Sequence, residues 1–325
     1  MNKKFLTHLI VSLLVGTGLQ PVGIPVEAET IVKKQHSVSQ FIPLTPNERS
    51  HLELLSLGAY PRKELRFQPT VNTKQTVRIT IQENIVMPIS ERSGYTWTPP
   101  KIAVVIELLV TQVDANGDIH CHFTFKSVEA SEKRIKYEKI KNFEGSATFN
   151  NRGQIIKTSL EQSQNLEKFL TYLLQKMTVF IEQFPFPFPA QAVGEGAQWR
   201  VTSLVNVDKI ALTQIATYKL LDFKNNVATV SINLQQLPQQ AIPSEETRNS
   251  SQSQDSLFSD QYQTSGSGKA IIELNKLVPK KFNTSTHNDT YFSKKVVNSP
   301  EHQKIFNNPE NQSVIILREL SLQSK

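Results

Sequence analysis

One β-pattern is written twice in this chain, on either side of a single long apolar stripe, and that arrangement limits the fold more than any other feature. Gln75-Thr76-Val77-Arg78-Ile79-Thr80 is echoed by Gln198-Trp199-Arg200-Val201-Thr202. Ile102-Ala103-Val104 is echoed by Ile210-Ala211-Leu212, and the turn at Asp114 to Asp118 by Asp222 to Asn226. Gly145-Ser146-Ala147-Thr148-Phe149 is echoed by Gly268-Lys269-Ala270-Ile271-Ile272. Apolar and polar side chains alternate through both copies, as they do on half-buried strands. The expected fold is α+β and mostly β: a curved antiparallel sheet, or two, made from degenerate repeats, with a long amphipathic helix packed against it.

Residues 61–160 form the first expected β-unit. Val77, Ile79 and Ile81 alternate with Arg78, Thr80 and Gln82. Ile102 to Val113 is more continuously apolar and reads as a more buried strand. Asn116-Gly117 tolerates the left-handed backbone of a tight hairpin. On the return strand Ile119, Cys121, Phe123 and Phe125 share one face, and His120, His122, Thr124 and Lys126 the other. Gly145 to Phe149 and Gln154 to Ser159 make a second hairpin around Asn150 to Gly153.

The helix is expected over 161–185. Leu166, Phe169, Leu170, Leu173, Leu174, Met177, Phe180, Ile181 and Phe184 recur at three- and four-residue steps. Pro185 ends the run. The Phe184 to Pro189 segment is extended, with phenylalanines expected to pack under the sheet. Residues 186–325 form the second β-unit, interrupted by a polar, flexible insertion at 241–268. Residues 29–60 are a lead-in. It carries a short helix that Thr45, Pro46 and Glu48 start and Gly58 stops.

The first 28 residues read as a signal peptide. Lys3 and Lys4 precede the apolar run Phe5 to Leu14, and Val26-Glu27-Ala28 fits the small-x-small cleavage rule. That run is shorter than the roughly 20 residues a membrane span takes. The mature chain is expected to be periplasmic or extracellular, with no transmembrane segment. Its only cysteine, Cys121, permits no internal disulfide. The formal charge of +7 is scattered. The densest basic stretch, Lys133 to Lys141, interleaves with Ile135, Tyr137, Glu138 and Ile140, which suits a solvated hairpin face better than a phosphate-tracking groove. No nucleic-acid partner is expected.

The candidate chemistry is sparse. Asp114-Ala115-Asn116-Gly117-Asp118 imitates the start of a calcium loop, but Ile119 and Phe125 stand where such a loop needs Gly and Glu. His120 and His122 share a strand face and are weak metal-ligand candidates without an evident third partner. Cys121 has the phase of a core thiol. Ser265-Gly266-Ser267-Gly268 lacks the strand-to-helix setting of a nucleophile elbow or phosphate loop. Only 12 glycines argue against a nucleotide fold. Tyr95 to Pro100 reads as a loop whose aromatics cap a sheet edge. No catalytic residue, cofactor or metal is expected.

Phe186-Pro187-Phe188-Pro189 followed by Val193-Gly194-Glu195-Gly196-Ala197-Gln198-Trp199, after a long amphipathic helix, resembles an uncharacterised family of exported bacterial proteins. That family, a domain of unknown function, supplies no catalytic residue. A curved sheet with helices on its concave side is also similar to envelope lipoprotein carriers of the LolA and LolB type, an analogy of architecture. The expectation is a non-catalytic cell-envelope protein that binds a lipid or other apolar ligand between sheet and helix. Phe123, Phe125, Phe169, Leu173, Met177, Phe180 and Trp199 would line that crevice. The alternatives are a structural or protein-interaction module and, further off, a hydrolase with a site built from distant residues.

Overall fold

The computed structural model describes residues 50–90, 93–130, 143–160, 186–207, 210–238, 258–292 and 313–325. Thirteen strands are found there: β1 Ser50–Ser56, β2 Lys74–Ser90, β3 Ser93–Trp97, β4 Ile102–Val113, β5 Ile119–Ala130, β6 Glu144–Phe149 and β7 Ile155–Leu160. They continue with β8 Gln198–Val207, β9 Ile210–Lys224, β10 Val227–Pro238, β11 Phe258–Glu273, β12 Lys281–Phe292 and β13 Ser313–Ser324. All belong to one antiparallel sheet, in the order β1-β8-β9-β10-β11-β12-β13-β2-β4-β5-β6-β7, with β3 paired to β2.

This corrects the expected α+β class. The described residues form no helix, and the sheet is single. The 161–185 segment, with Phe169, Leu173, Met177 and Phe180, lies outside the described residues, as do the proposed signal peptide and the Lys133 to Lys141 cluster. The short helix expected to end at Leu57 is instead the edge strand β1, which pairs antiparallel with β8 from Ser50↔Ser203 to Ser56↔Gln198. Leu52 and Leu54 are half-buried while His51 and Glu53 are exposed, a period of two. Gly58 follows with φ +72, so the stop expected there is a turn after a strand. Tyr95 to Trp97, expected as a loop, belong to β3.

The twofold repeat does not carry into the register. The Asp114 to Asp118 turn spans five residues, whereas only Asn225 and Asn226, both at positive φ, join β9 to β10. Aligned on these turns, Phe123 matches Ser231. Yet Gly145 stands opposite Phe123, and Gly268 stands opposite Ile232. A one-residue slip exchanges the two faces of a strand. The shared features are alternation and turn chemistry, which any antiparallel meander needs. The halves join instead through β13 and β2, paired from Ile315↔Val86 to Ser324↔Val77.

The tight turns at 114–118, 150–153, 225–226 and 274–280 all lie at one end of the sheet, here the turn end. Two extended segments cross the inner face there. Phe67 N–H donates to Asn151 O at 2.7 Å, and Phe188 N–H to Arg152 O at 2.8 Å. The two aromatic rings meet with centroids 5.2 Å apart. Phe186 packs edge-on against Tyr218 of β9 and Phe282 of β12. Its carbonyl also comes so close to Gly153 that a Cβ there would lie 2.4 Å away. The β6–β7 turn therefore curls back over strands from the other half of the sheet, and Phe186 and Phe188 are buried as the Phe-Pro segment predicted. One core runs from β5 and β6 to β9 and β12 beneath these segments.

Candidate functional site

Opposed residues in the register share a face, so the inner face can be read strand by strand. Near the turn end it is apolar and closed. Ile119, Cys121, Phe123, Phe125 and Phe149 fill one side, and Trp199, Leu220, Val230 and Ile272 the other. Phe123 and Phe125 meet edge-on at 6.1 Å. Trp199 stacks on Tyr218, lies 6.2 Å from the Phe188 ring, and donates its indole N–H to Pro187 O at 2.9 Å. Three of the expected crevice residues, Phe123, Phe125 and Trp199, are thus brought into one core, each essentially without exposed surface. The sequence placed them on the correct face. It did not show that Leu65, Phe67, Phe186 and Phe188 would cover them, because those contacts join distant parts of the chain.

Further from the turn end the covering thins. Leu320 of β13 stands opposite Ile81 of β2, and Ile81 opposite Ile102 of β4. Val128 of β5 stands opposite Val104, next along β4 on the same face. Ile81, Ile102, Val128 and Leu320 are all half-buried and packed on the core. One position onward, Arg318 pairs with Glu83 by an ion pair across β13 and β2. On β12 the inner positions are Thr284 beside Leu320, Thr286 beside Arg318, then Asn288 and Thr290, and those of β11 are Gly268, Gly266 and Thr264. Asn288 Nδ2 donates to Thr264 Oγ1 at 2.7 Å, and Gln236 Nε2 to Gln214 Oε1 at 2.8 Å. The inner face therefore passes from aromatic to half-covered aliphatic and then, past the Arg318–Glu83 pair, to a second buried stretch where Thr264, Asn288 and Thr290 adjoin Ile85 and Val314. Sequence reading missed this polar belt because it begins inside the Ser/Gln/Gly-rich stretch read as an insertion. Residues Phe258 to Gly268 of that stretch are part of β11.

His120 and His122 stand on the outer face with their carboxylate partners, whereas the Arg318–Glu83 pair lies on the inner one. His120 Nε2 lies 2.8 Å from Asp114 Oδ2, and its Nδ1 lies 3.1 Å from Thr148 Oγ1. The ring donates to the carboxylate and accepts from the hydroxyl in the tautomer that satisfies both. The His120 hydrogen bond, and then that of Gln112, hold the Asp114 carboxyl below its ordinary range. His122 Nε2 faces Glu144 Oε2 at 3.5 Å. The two histidines thus turn to separate carboxylates, and among the described residues no group of three ligand-type side chains gathers around a point. The Asp114 to Asp118 segment is a hairpin turn closed by Asp114 N–H donating to Asp118 O at 2.8 Å. Glu129 and Asp222 are likewise held low, by Arg78 and Lys224 respectively, each on the surface. Cys121 is buried and its thiol is pushed up to about 12 by desolvation. Among the described residues no helix is long and apolar enough to cross a membrane, which says nothing about strands.

No protein-family model matches the chain. No curated protein matches it. One similar solved structure is that of a Bacteroides fragilis protein inferred to be exported, with a YmcC-like fold. It is 9% identical, covers 78% of this chain and 98% of its own, and superposes with a TM-score of 0.25. None of these comparisons shows the likeness to LolA- or LolB-type carriers.

Proposed function

We propose that the protein is an exported, non-catalytic binding protein of the cell envelope, periplasmic or extracellular, that receives a lipid or other apolar group on the inner face of its sheet. The observation that carries this reading is the half-covered aliphatic patch of Ile81, Ile102, Val128 and Leu320, contiguous with the buried core. Covering such surface with an apolar ligand yields about 25 cal/mol per Å². Along β5 the patch begins one inner position beyond Phe125, so a ligand seated there need not displace Phe123 or Phe125. Lys3, Lys4, the apolar run to Leu14 and Val26-Glu27-Ala28 support export.

The reading is tested with 1-N-phenylnaphthylamine, a fluorescent apolar reporter, and its displacement by dodecanoic acid. Leu320→Asp places a charge on the patch and should weaken reporter binding about tenfold, the order of one buried aliphatic contact. Ile102→Ser, a milder change, should weaken it less. Reporter affinity unchanged in both folded variants would remove the apolar site.

A protein-interaction module is the second reading, and one feature favours it. Tyr60 is 81% exposed, with the Arg62 guanidinium 4.3 Å from its ring centroid. Arg62 is itself fixed by donating Nε and Nη2 to Gly58 O at 3.1 and 2.9 Å. A fixed Tyr–Arg pair is the composition of interface hot spots.

A further inference from the structure

We propose that the ligand of the inner face is a long-chain carboxylate, with its chain on the aliphatic patch and its acid head on the guanidinium of Arg318. The proposal rests on the preceding reading that the patch receives an apolar chain, and it adds the head group. Along the inner positions of β13, exposure rises and then falls again. Leu322 is 1% exposed, Leu320 is half-buried, Arg318 is exposed, Ile316 is half-buried and Val314 is 0% exposed. The neighbouring strand β2 runs the same course, from buried Ile79 through half-buried Ile81 and Glu83 to buried Ile85. The inner face is therefore covered on both sides of an opening, and Arg318 stands in it.

Arg318 is positioned from the neighbouring strand. Its Nε donates to Glu83 Oε1. The two halves of this ion pair are unequally covered: the Glu83 side chain is 11% exposed and that of Arg318 50%. The half that faces the opening is thus the cation. A guanidinium holds five N–H donors in a planar fork, and the bond to Glu83 orients that fork through Nε. A carboxylate matches the fork with two parallel charge-assisted hydrogen bonds.

The surroundings select one negative charge and a chain. The inner neighbours Thr286, Asn288, Ile316, Leu320, Ile81 and Ile85 are all uncharged, so Glu83 alone opposes an anion there. A singly charged head meets that repulsion once, whereas a doubly charged phosphate monoester meets it twice. Leu320 lies two residues along β13 from Arg318, about 7 Å. From Leu320 the patch crosses β2 and β4 to Val128 of β5, three strand spacings or about 14 Å. A head on Arg318 therefore sets the first methylenes beside Leu320 and leads the chain across the strands.

The test is calorimetric titration of the full chain, near neutral pH, with four sub-micellar probes of one chain length: dodecanoate, dodecanol, dodecyl phosphate and dodecyltrimethylammonium. We expect dodecanoate to bind about tenfold more tightly than dodecanol, and more tightly than the other two. Arg318→Gln should bring dodecanoate to the level of dodecanol without moving dodecanol itself. Arg318→Lys keeps the charge and loses the fork, so it should keep part of the preference. If Arg318→Gln fails to fold because the Glu83 carboxylate is left uncompensated, the neutral double variant Glu83→Gln/Arg318→Gln carries the same expectation. Equal affinity for dodecanoate and dodecanol in the native chain overturns the carboxylate head and leaves the apolar reading standing. A preference for dodecanoate that survives the loss of Arg318 overturns the assigned site. A preference for the phosphate or the ammonium probe overturns the assigned head group. Binding by none of the four overturns both readings.

Discussion

The side chain of Gln75 and the backbone of Val278 form a two-way hydrogen bond. Nε2 donates to the Val278 carbonyl at 3.1 Å, and Oε1 accepts from the Val278 N–H at 3.1 Å. Oε1 also accepts from Leu277 N–H at 2.9 Å. Gln75 begins β2 and is buried, while Leu277 and Val278 belong to the turn between β11 and β12. A side-chain amide thus takes the place of a strand where the backbone of that turn has no neighbour. Ser324 Oγ joins the cluster, donating to Pro279 O at 2.9 Å.

Gln75→Ala leaves two N–H groups and a carbonyl without the partner they have in the native protein. Unsatisfied buried groups cost about 1–3 kcal/mol each, reduced where water reaches them, so the net loss should be about 2–4 kcal/mol. Urea unfolding measures it from the midpoint at constant slope. A loss under about 0.5 kcal/mol, the range of ordinary surface changes, would show that the amide does not hold the turn.

Among the described glycines, Gly194 lies closest against another backbone segment. A Cβ there would sit 1.7 Å from Ala59 O. The neighbouring bonds Ala59 N–H to Glu195 O at 2.8 Å and Gly194 N–H to Leu57 O at 2.9 Å hold the two segments together. Gly194→Ala must move one backbone off the other, and we expect a loss of about 3 kcal/mol or more, or failure to accumulate folded protein. Gly196 is a different case: its φ is +81 but a Cβ would meet nothing, so Gly196→Ala should cost only about 1 kcal/mol of backbone strain. Equal melting temperatures for the two variants would contradict this account of the Val-Gly-Glu-Gly motif.

Alkaline pH should weaken the fold through Cys121. Burial raises its thiol to about 12 from an ordinary 9.0. The folded state therefore keeps a proton that the unfolded state releases as pH passes about 9. Stability is fully present below pH 9 and falls as pH rises toward 12, by about 1 kcal/mol at pH 10. Tyr218, also raised by burial, adds to the fall at higher pH. Urea midpoints at pH 7 and pH 10 give the difference, and Cys121→Ala should remove the thiol's share. The native thiol should also resist iodoacetamide until urea is added. Rapid alkylation of the folded protein would contradict its burial.

Much of the sheet was legible because its strands obey period two over long runs. Val77, Ile79 and Ile81 face inward as the alternation requires, as do Ile119, Cys121, Phe123 and Phe125, and Asn116-Gly117 makes the expected turn. The misread elements fail for identifiable reasons. The motif Thr45-Pro46-Asn47-Glu48, outside the described residues, signals a helix in the sequence, but Leu52 and Leu54 of β1 are placed by β8, some 150 residues on, through pairs such as Leu52↔Val201. Strand β11 lacks an apolar face over Gln263 to Gly268 because the inner surface there is polar and crowded by β12. Nothing local announces that β13 returns to β2, since Ile315↔Val86 joins segments far apart in the sequence. For the site, alternation reveals the face of a residue but not its depth. Phe123, Phe125 and Trp199 point inward as expected, and only the packing of Leu65, Phe67, Phe186 and Phe188 over that end moves the half-covered surface to Ile81, Ile102, Val128 and Leu320.

Native mass spectrometry of protein purified from its own cell envelope, with lipid extraction of the same sample, tests the central claim most directly. The account predicts a single apolar or amphiphilic molecule bound per folded chain, recovered in the extract and lost from Leu320→Asp. A wild-type protein that flies only at its bare mass, with no extractable ligand near one per chain, would contradict it.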